Sequence, residues 1–313
     1  MKQTANKFTN LLDVANRFPD DKSCREFLEF SRWGTKPVCP HCGSVRKIYR
    51  INDGKLFKCA DCRKQFTVRV GTIFEDSALP LQKWFMAVYL ITAHKKGISS
   101  VQLGKDIGVT QKSAWFMLHR IRYAVRTKPS KPLNGIVEAD ETYVGGKPRK
   151  GTLRNPSESG LGNKRGRGTT KTPVFGMVER GGRVSAQAVT NVGKKTLQGI
   201  MKKEISRDAI IMTDEWNAYN DLEETFDSHE VVNHESREYV RGDVHTNTIE
   251  GFWAILKRSI VGIYHHVSPK HLDRYVDECE YRWNNRDMKD PDRFGKMLTV
   301  CQGRMTYKTL IAK

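Results

Sequence analysis

The chain has 313 residues, a length that carries two domains with room for a small extra module, and its 38% apolar residues are enough to build a core. A formal net charge of +19, from 54 Lys and Arg against 35 Asp and Glu, argues against an acidic or neutral partner and for a polyanion, nucleic acid before an anionic membrane surface. No apolar run approaches the roughly 18 residues that span a bilayer as a helix, and MKQTANKFTN lacks the apolar core of a signal peptide, so the sequence predicts a cytoplasmic protein.

Residues 7–33 read as one or two short helices. Phe8, Leu11, Leu12, Val14 and Ala15 recur at helical spacing, and after the break FPDD the pattern resumes at Cys24, Phe27, Leu28 and Phe30. We assign 1–35 to these N-terminal helices. Seven cysteines follow no disulfide arithmetic: four fall in two tight pairs, and Cys24, Cys279 and Cys301 stand alone as small apolar residues.

The pairs are CPHC, with Cys39 and Cys42, and CADC, with Cys59 and Cys62, separated by 16 residues. That spacing fits a four-thiolate zinc site. The intervening KIYRINDGKLFKC alternates like a hairpin turning at Asn52-Asp53-Gly54. With all four positions filled by thiolates, none is left open for chemistry, so the expectation over 36–78 is a zinc ribbon with structural Zn²⁺. His41, inside the first knuckle, reads as a surface residue.

From Leu81 the pattern turns helical. LQKWFMAVYLITAH carries a wide apolar stripe, and SSVQLGKDIGVTQKSAWFMLHRIRYAV gives a short helix, a turn at Gly108-Val109 and a longer helix from Thr110. This is helix-turn-helix spacing, assigned to 79–128. Thr110, Gln111, Lys112 and Ser113 are placed to meet bases or phosphates, and Arg120 and Arg122 the DNA backbone. The alternative is a plain helical hairpin. The segment TKPSKPLNG is rich in Pro, Lys and Ser without periodicity, and its end, 129–135, reads as a linker.

Beyond it the pattern is strand-rich, then helical: strands at 136–140, 174–179 and 184–190, a helix at 194–205, a strand at 209–214, a short strand near 229–234, and helices at 245–260 and 269–286. A meander followed by strands and helices predicts a mixed sheet covered by helices over 136–290, with 291–313 as a C-terminal tail. A basic loop, 145–172, interrupts it with eight Lys or Arg, one Glu and many glycines; disorder and phosphate contact are both open to it.

Three carboxylates stand out. Asp140 ends the first strand, Asp214 ends the strand after the crossover helix, and Glu250 lies 36 positions later on an amphipathic helix, seven residues before Lys257. Neighbouring strands and a helix over them could bring these hard oxygen ligands together on two Mg²⁺ or Mn²⁺ ions, as in-line phosphoryl transfer requires. Each acid has a plainer role open to it: a turn for Asp140, a helix cap for Asp214, a solvated pair with Lys257 for Glu250. Glu138, Glu141 and Glu215 flank the aspartates and could stand in as ligands. His245 and Asn247 could contact phosphate or orient a ligand, while Thr246 or Asn247 could simply cap the helix.

CPHCGS with FKCADCRKQFTVRVGTIFEDS, EADETYVGGK, TDEWNAY, and HTNTIEGFWAILKRSI followed by YRWNNR together make the chain resemble DDE-type transposases of bacterial insertion sequences, in the group related to the eukaryotic Merlin transposons. The resemblance covers nearly the whole length. It implies an RNase H-like catalytic domain in a multidomain α+β and α/β protein. Asp140, Asp214 and Glu250 would form the catalytic triad on Mg²⁺ or Mn²⁺, with Asn247 as the third position in some members. Lys257 and Arg258 would lie against transposon-end phosphates, and the ribbon and helix-turn-helix would bind terminal inverted repeats. Cutting at the element's ends followed by 3′-hydroxyl attack on target duplex would make DNA the partner, place the protein at the nucleoid, and require at least a dimer. The competing readings are a DNA-binding regulator with an inactive transposase-derived domain and a structure-selective nuclease.

Overall fold

Hydrophobic spacing sorts the chain into a helical part with a metal-ribbon motif and a sheet. The computed structural model describes residues 8–126, 131–146, 169–232 and 240–312. The chain divides into two units, Met1–Arg126 with Asp287–Lys313, and Thr127–Arg286.

In the first unit, α1 (Leu11–Arg17) and α2 (Asp21–Trp33) are each opened by a side chain that accepts a first-turn amide, Asn10 from Asp13 and Asp20 from Ser23. The ribbon strands β1 (Ile48–Ile51), β2 (Leu56–Cys59) and β3 (Gln65–Phe66) pair antiparallel. Their turn falls at Asn52-Asp53-Gly54, all three at positive φ, where Asn, Asp and Gly are the residues that tolerate it. Phe57 stacks on Phe66 at 5.5 Å, and Trp33 of α2 packs edge-on to both. Helix α3 (Leu81–Ala93) is followed by α4 (Ser100–Ile107) and α5 (Gln111–Ala124) in helix-turn-helix order, with Gly108 left-handed between them. A Cβ on Gly104 would stand 2.9 Å from the Val109 carbonyl, so the turn closes only against a glycine.

The C-terminal segment differs from the expected tail. It carries α9 (Asp290–Val300) and α10 (Tyr307–Ile311), and the Phe294 ring lies within 5.2–6.4 Å of Phe8, Phe18, Phe27 and Phe85. Phe294, Met297, Leu298 and Cys301 make one apolar face, too short amid charged neighbours to stand out as a pattern.

The second unit is a five-stranded mixed sheet. Strands β4 (Ile136–Val144), β5 (Thr172–Glu179) and β6 (Val184–Ala188) run antiparallel; after α6 (Lys194–Glu204), β7 (Ile210–Asp214) and β8 (Ser228–Val232) run parallel to β4, giving the order β6-β5-β4-β7-β8. This is the RNase H-like arrangement. Residues Val137, Ala139, Phe175, Met177 and Ile211 face α6, and Val144, Val174, Val178 and Val184 face α7 (Asn247–Ser259) and α8 (Leu272–Asn284). Most of the basic loop, 147–168, and the end of the 229–234 strand lie outside the described residues. Among the described residues no helix is long and apolar enough to cross a membrane.

Helix α8 closes the free edge of β6 with side chains in place of a strand. Asp273, Glu280 and Asn284 accept from the amides of Ala188, Ala186 and Val184 at 2.7, 3.1 and 2.8 Å. Burial pushes the Glu280 carboxyl up to about 8, with Asp277 and Glu204 adding to it against the Ala186 amide and Arg183. Because the folded state holds this proton more tightly than the unfolded chain, the associated stability is complete below the ordinary glutamate range and is lost as pH rises toward 8. Glu280→Gln keeps an oxygen for the Ala186 amide. It is expected to remove this slope and to gain about 2–4 kcal/mol near pH 8, read from urea denaturation between pH 5 and 9.

Candidate active site

Asp140 and Asp214 meet because the register puts them level. Glu138 of β4 pairs with Met212 of the parallel strand β7, so the residues two further along, Asp140 and Asp214, come side by side where β7 ends. Asp140, Glu141 and Asp214 each present a carboxylate oxygen within 4.8 Å of the others. Hard oxygens so grouped suit a divalent cation. Burial, then the charge of Asp214, pushes the Asp140 carboxyl up to about 6, so the cluster carries negative charge at a cost that a bound cation would offset. Burial beside Glu141, Asp140 and Asp214 likewise raises the Tyr219 phenol well above its ordinary value.

Helix α7 covers this cluster. Its exposed residues, Asn247, Glu250, Lys257 and Arg258, flank a buried face of Ile249, Phe252, Trp253 and Leu256. Glu250 does not join the three-acid set, although its charge reaches Asp140 and raises that carboxyl further. Asn247 is exposed one turn earlier, and Arg258 Nε donates to the Ala254 carbonyl of its own helix.

Sequence reasoning missed two features that hold the helix down. Trp253 is a core residue, yet its indole N–H also donates to Asp140 Oδ2 at 2.9 Å. Gly176, opposite Asp140 on β5, makes room for it: a Cβ there would lie 2.5 Å from the indole. The second feature is Glu138, fully buried, which accepts from the Thr248 and Ile249 amides at 2.8 and 3.0 Å, from Thr248 Oγ1 at 2.9 Å and from Arg180 Nε at 2.7 Å. With its oxygens occupied, Glu138 is not a stand-in metal ligand. Nor does Thr246 cap α7 through its side chain. His245 Nδ1 lies 3.0 Å from Arg180 Nη2 and 3.3 Å from the Asn247 amide, which gives it a supporting place beside the helix start.

In the first unit, Cys39, Cys42, Cys59 and Cys62 form a closed group. Sγ separations of 3.6 Å for Cys39 with Cys62 and 3.7 Å for Cys42 with Cys59 are far beyond a disulfide and match the edge of a thiolate tetrahedron with Zn–S of about 2.3 Å. His41 is exposed, outside the group. At the start of α5, Gln111 and Lys112 are exposed and Ser113 half-buried, with Thr110 accepting from the Ser113 amide; Lys112 Nζ also sits 5.2 Å from the Tyr307 ring. Arg120 and Arg122 depart from the expected DNA contacts. They are 3% and 1% exposed, and Arg120 donates to the Glu75 carbonyl and lies over the Trp84 and Phe116 rings. Every residue from Met117 to Arg122 is buried, so this part of α5 is enclosed on all sides and neither guanidinium faces outward.

Residues 132–284 match the family model of the ISXO2-like transposase domain, and residues 19–65 match that of the transposase zinc-ribbon domain. An uncharacterized protein in transposable element ISH50 of Halobacterium salinarum is 33% identical over 277 residues, 85% of this chain and 91% of its own length. An uncharacterized transposase-like protein of Haemophilus influenzae is 31% identical over 107 residues, 34% of this chain and 85% of its own. The Mos1 transposase paired-end complex with left transposon end, at 14% identity and a TM-score of 0.28 over 72% of this chain and 77% of that one, is too distant to bear on the chemistry.

Proposed function

The chain belongs to the ISXO2-like transposase family, and from that premise we propose that it binds the terminal inverted repeats of an insertion sequence and catalyses strand cleavage and 3′-hydroxyl strand transfer. The observation that carries this reading is the convergence of the Asp140, Glu141 and Asp214 oxygens, from the middle of β4 and the end of β7. Asp140, Asp214 and Glu250 are the proposed triad, with Glu141 as an additional oxygen donor and Asn247 as the alternative third position. Two Mg²⁺ or Mn²⁺ ions held there would activate the attacking oxygen and stabilise the leaving one.

The rest is supplied by the chain itself. Trp253 fixes one oxygen of Asp140. Lys257, exposed on the same stripe of α7 as Glu250, is placed to meet a phosphate, and Arg258 beside it. The exposed start of α5, Thr110 to Lys112 with Ser113, is the proposed reader of the terminal repeat, beside a zinc ribbon held by structural Zn²⁺. The +19 charge favours DNA generally, and joining two ends calls for at least two copies on the nucleoid.

An inactive DNA-binding regulator would be free to lose the acids or their convergence, whereas Asp140, Asp214 and Glu250 are all present and the two aspartates converge with Glu141. A supercoiled plasmid bearing the native element ends, incubated with the protein and Mg²⁺ or Mn²⁺, separates the readings. Joined product is expected; binding without cutting would indicate the regulator, and cutting without joining a nuclease.

A further inference from the structure

The start of α7 is capped from another element, and the residue that caps it is two positions from Asp140 on the same face of β4. A helix leaves its first amides without partners, and a Ser, Thr, Asp or Asn just before it ordinarily accepts them. Here Thr246 does not, and the Thr248 and Ile249 amides go to Glu138, more than a hundred residues earlier in the chain. Burying a carboxylate is the costlier way to satisfy two amides. It does what a local cap does not: it fixes the helix to the sheet.

A second attachment lies further along. Trp253 donates to Asp140 across the gap that Gly176 leaves open. The helix is thus held to β4 at Thr248–Ile249 and again at Trp253, and the strand holds it through residues 138 and 140. Two such points restrict both sliding and rotation, and Glu250 lies between them. Arg180 completes the anchor: its Nε bonds Glu138, and its Nη atoms reach the carbonyls of Asp243 at 2.6 Å and His245 at 2.9 Å on the approach to the helix.

We infer that Glu138 is the positioning residue that registers α7 against the acid-bearing strand and so sets where Asn247, Glu250 and Lys257 stand over the cluster. The claim rests on the transposase reading for what those residues do, but not for the clamp itself. Loss of such an outer contact typically costs roughly 10–100-fold in metal affinity or activity.

The test uses the full-length protein and Glu138→Gln, which keeps the shape and removes the charge, with Thr248→Val as a milder second variant that removes only one hydroxyl contact. Amide hydrogen exchange is expected to accelerate in the first turns of α7 relative to β4 and β7. Mn²⁺ titrated by electron paramagnetic resonance is expected to bind Glu138→Gln roughly 10–100-fold more weakly under conditions where thermal melting shows the variant folded, with end binding retained. A role in stability alone would lower the melting midpoint and leave α7 exchange and the Mn²⁺ affinity of the folded protein at their wild-type values; that pattern in both variants overturns the inference. Wild-type protein that takes up no Mn²⁺ and cuts no DNA would sink the transposase chemistry instead, and the exchange in α7 would still decide the clamp.

Discussion

Asp214→Asn is expected to abolish both cleavage and strand transfer, a loss of at least about 10³-fold, while leaving binding to the element's ends intact. Asp214 is the last residue of β7 and shares its oxygen cluster with Asp140 and Glu141. An amide of the same shape offers a weaker, neutral oxygen to a hard divalent cation, and the site would lose one of the charges that hold it. The backbone arrangement should survive, because the amide oxygen can still accept from the Trp216 amide as Asp214 Oδ1 does at 3.1 Å. The same substitution relieves repulsion: with Asp214 neutral, one of the causes that raise Asp140 disappears. Without metal the variant should therefore melt no lower than wild type, and a modest rise is expected. Inactive protein that is equally or more heat-stable, and that still shifts end DNA in a gel, is the signature of a lost ligand. Retained cleavage would remove Asp214 from the site.

The zinc ribbon and the residues of the candidate site were legible in the sequence to different degrees, and the reasons are physical. The zinc ribbon is written in local spacing, since both cysteine pairs and the turn between them are short-range features. Asp140 and Asp214 were legible because each follows a short apolar run that had to be a buried strand; Asp214 does end β7, whereas β4 runs on past Asp140 to Val144, and it is the parallel register of the two strands that brings the acids level. Glu138 was not: a carboxylate on an inward position of a strand looks like an exception to alternation, and its partners, the amides of α7, have no side-chain signature. Arg120 and Arg122 show the opposite error. Charge suggests an outward residue, but both are buried, and Arg120 lies over the aromatic rings of Trp84 and Phe116. The apolar face of α9 escaped for lack of length.

Removing zinc is expected to have the largest effect on folding. The ribbon's own core is Cys39, Phe57, Cys59 and Phe66, with Trp33, Ile48, Cys62 and Val70 packed against it, and its three strands have four, four and two residues. So little apolar surface does not hold a small sheet together, whereas a structural zinc site contributes on the order of 10–16 kcal/mol. Two of the thiolates are themselves core atoms, since Cys39 and Cys59 are buried, so Cys59→Ser removes a ligand and loosens the packing of Phe57 and Phe66 together. Trp33 is the reporter. It packs 5.5 and 6.0 Å from those two rings, and melting the ribbon exposes it to water. A strong chelator, or Cys59→Ser, should thus abolish zinc uptake measured by atomic absorption and shift the tryptophan emission to the red, a change lost in Trp33→Phe. The unit Thr127–Arg286 shares no ligand with the ribbon and should keep its own melting transition. A ribbon that retains its fluorescence and its amide protection after the metal is gone would mean that packing alone holds it and that the four cysteines are not a structural centre.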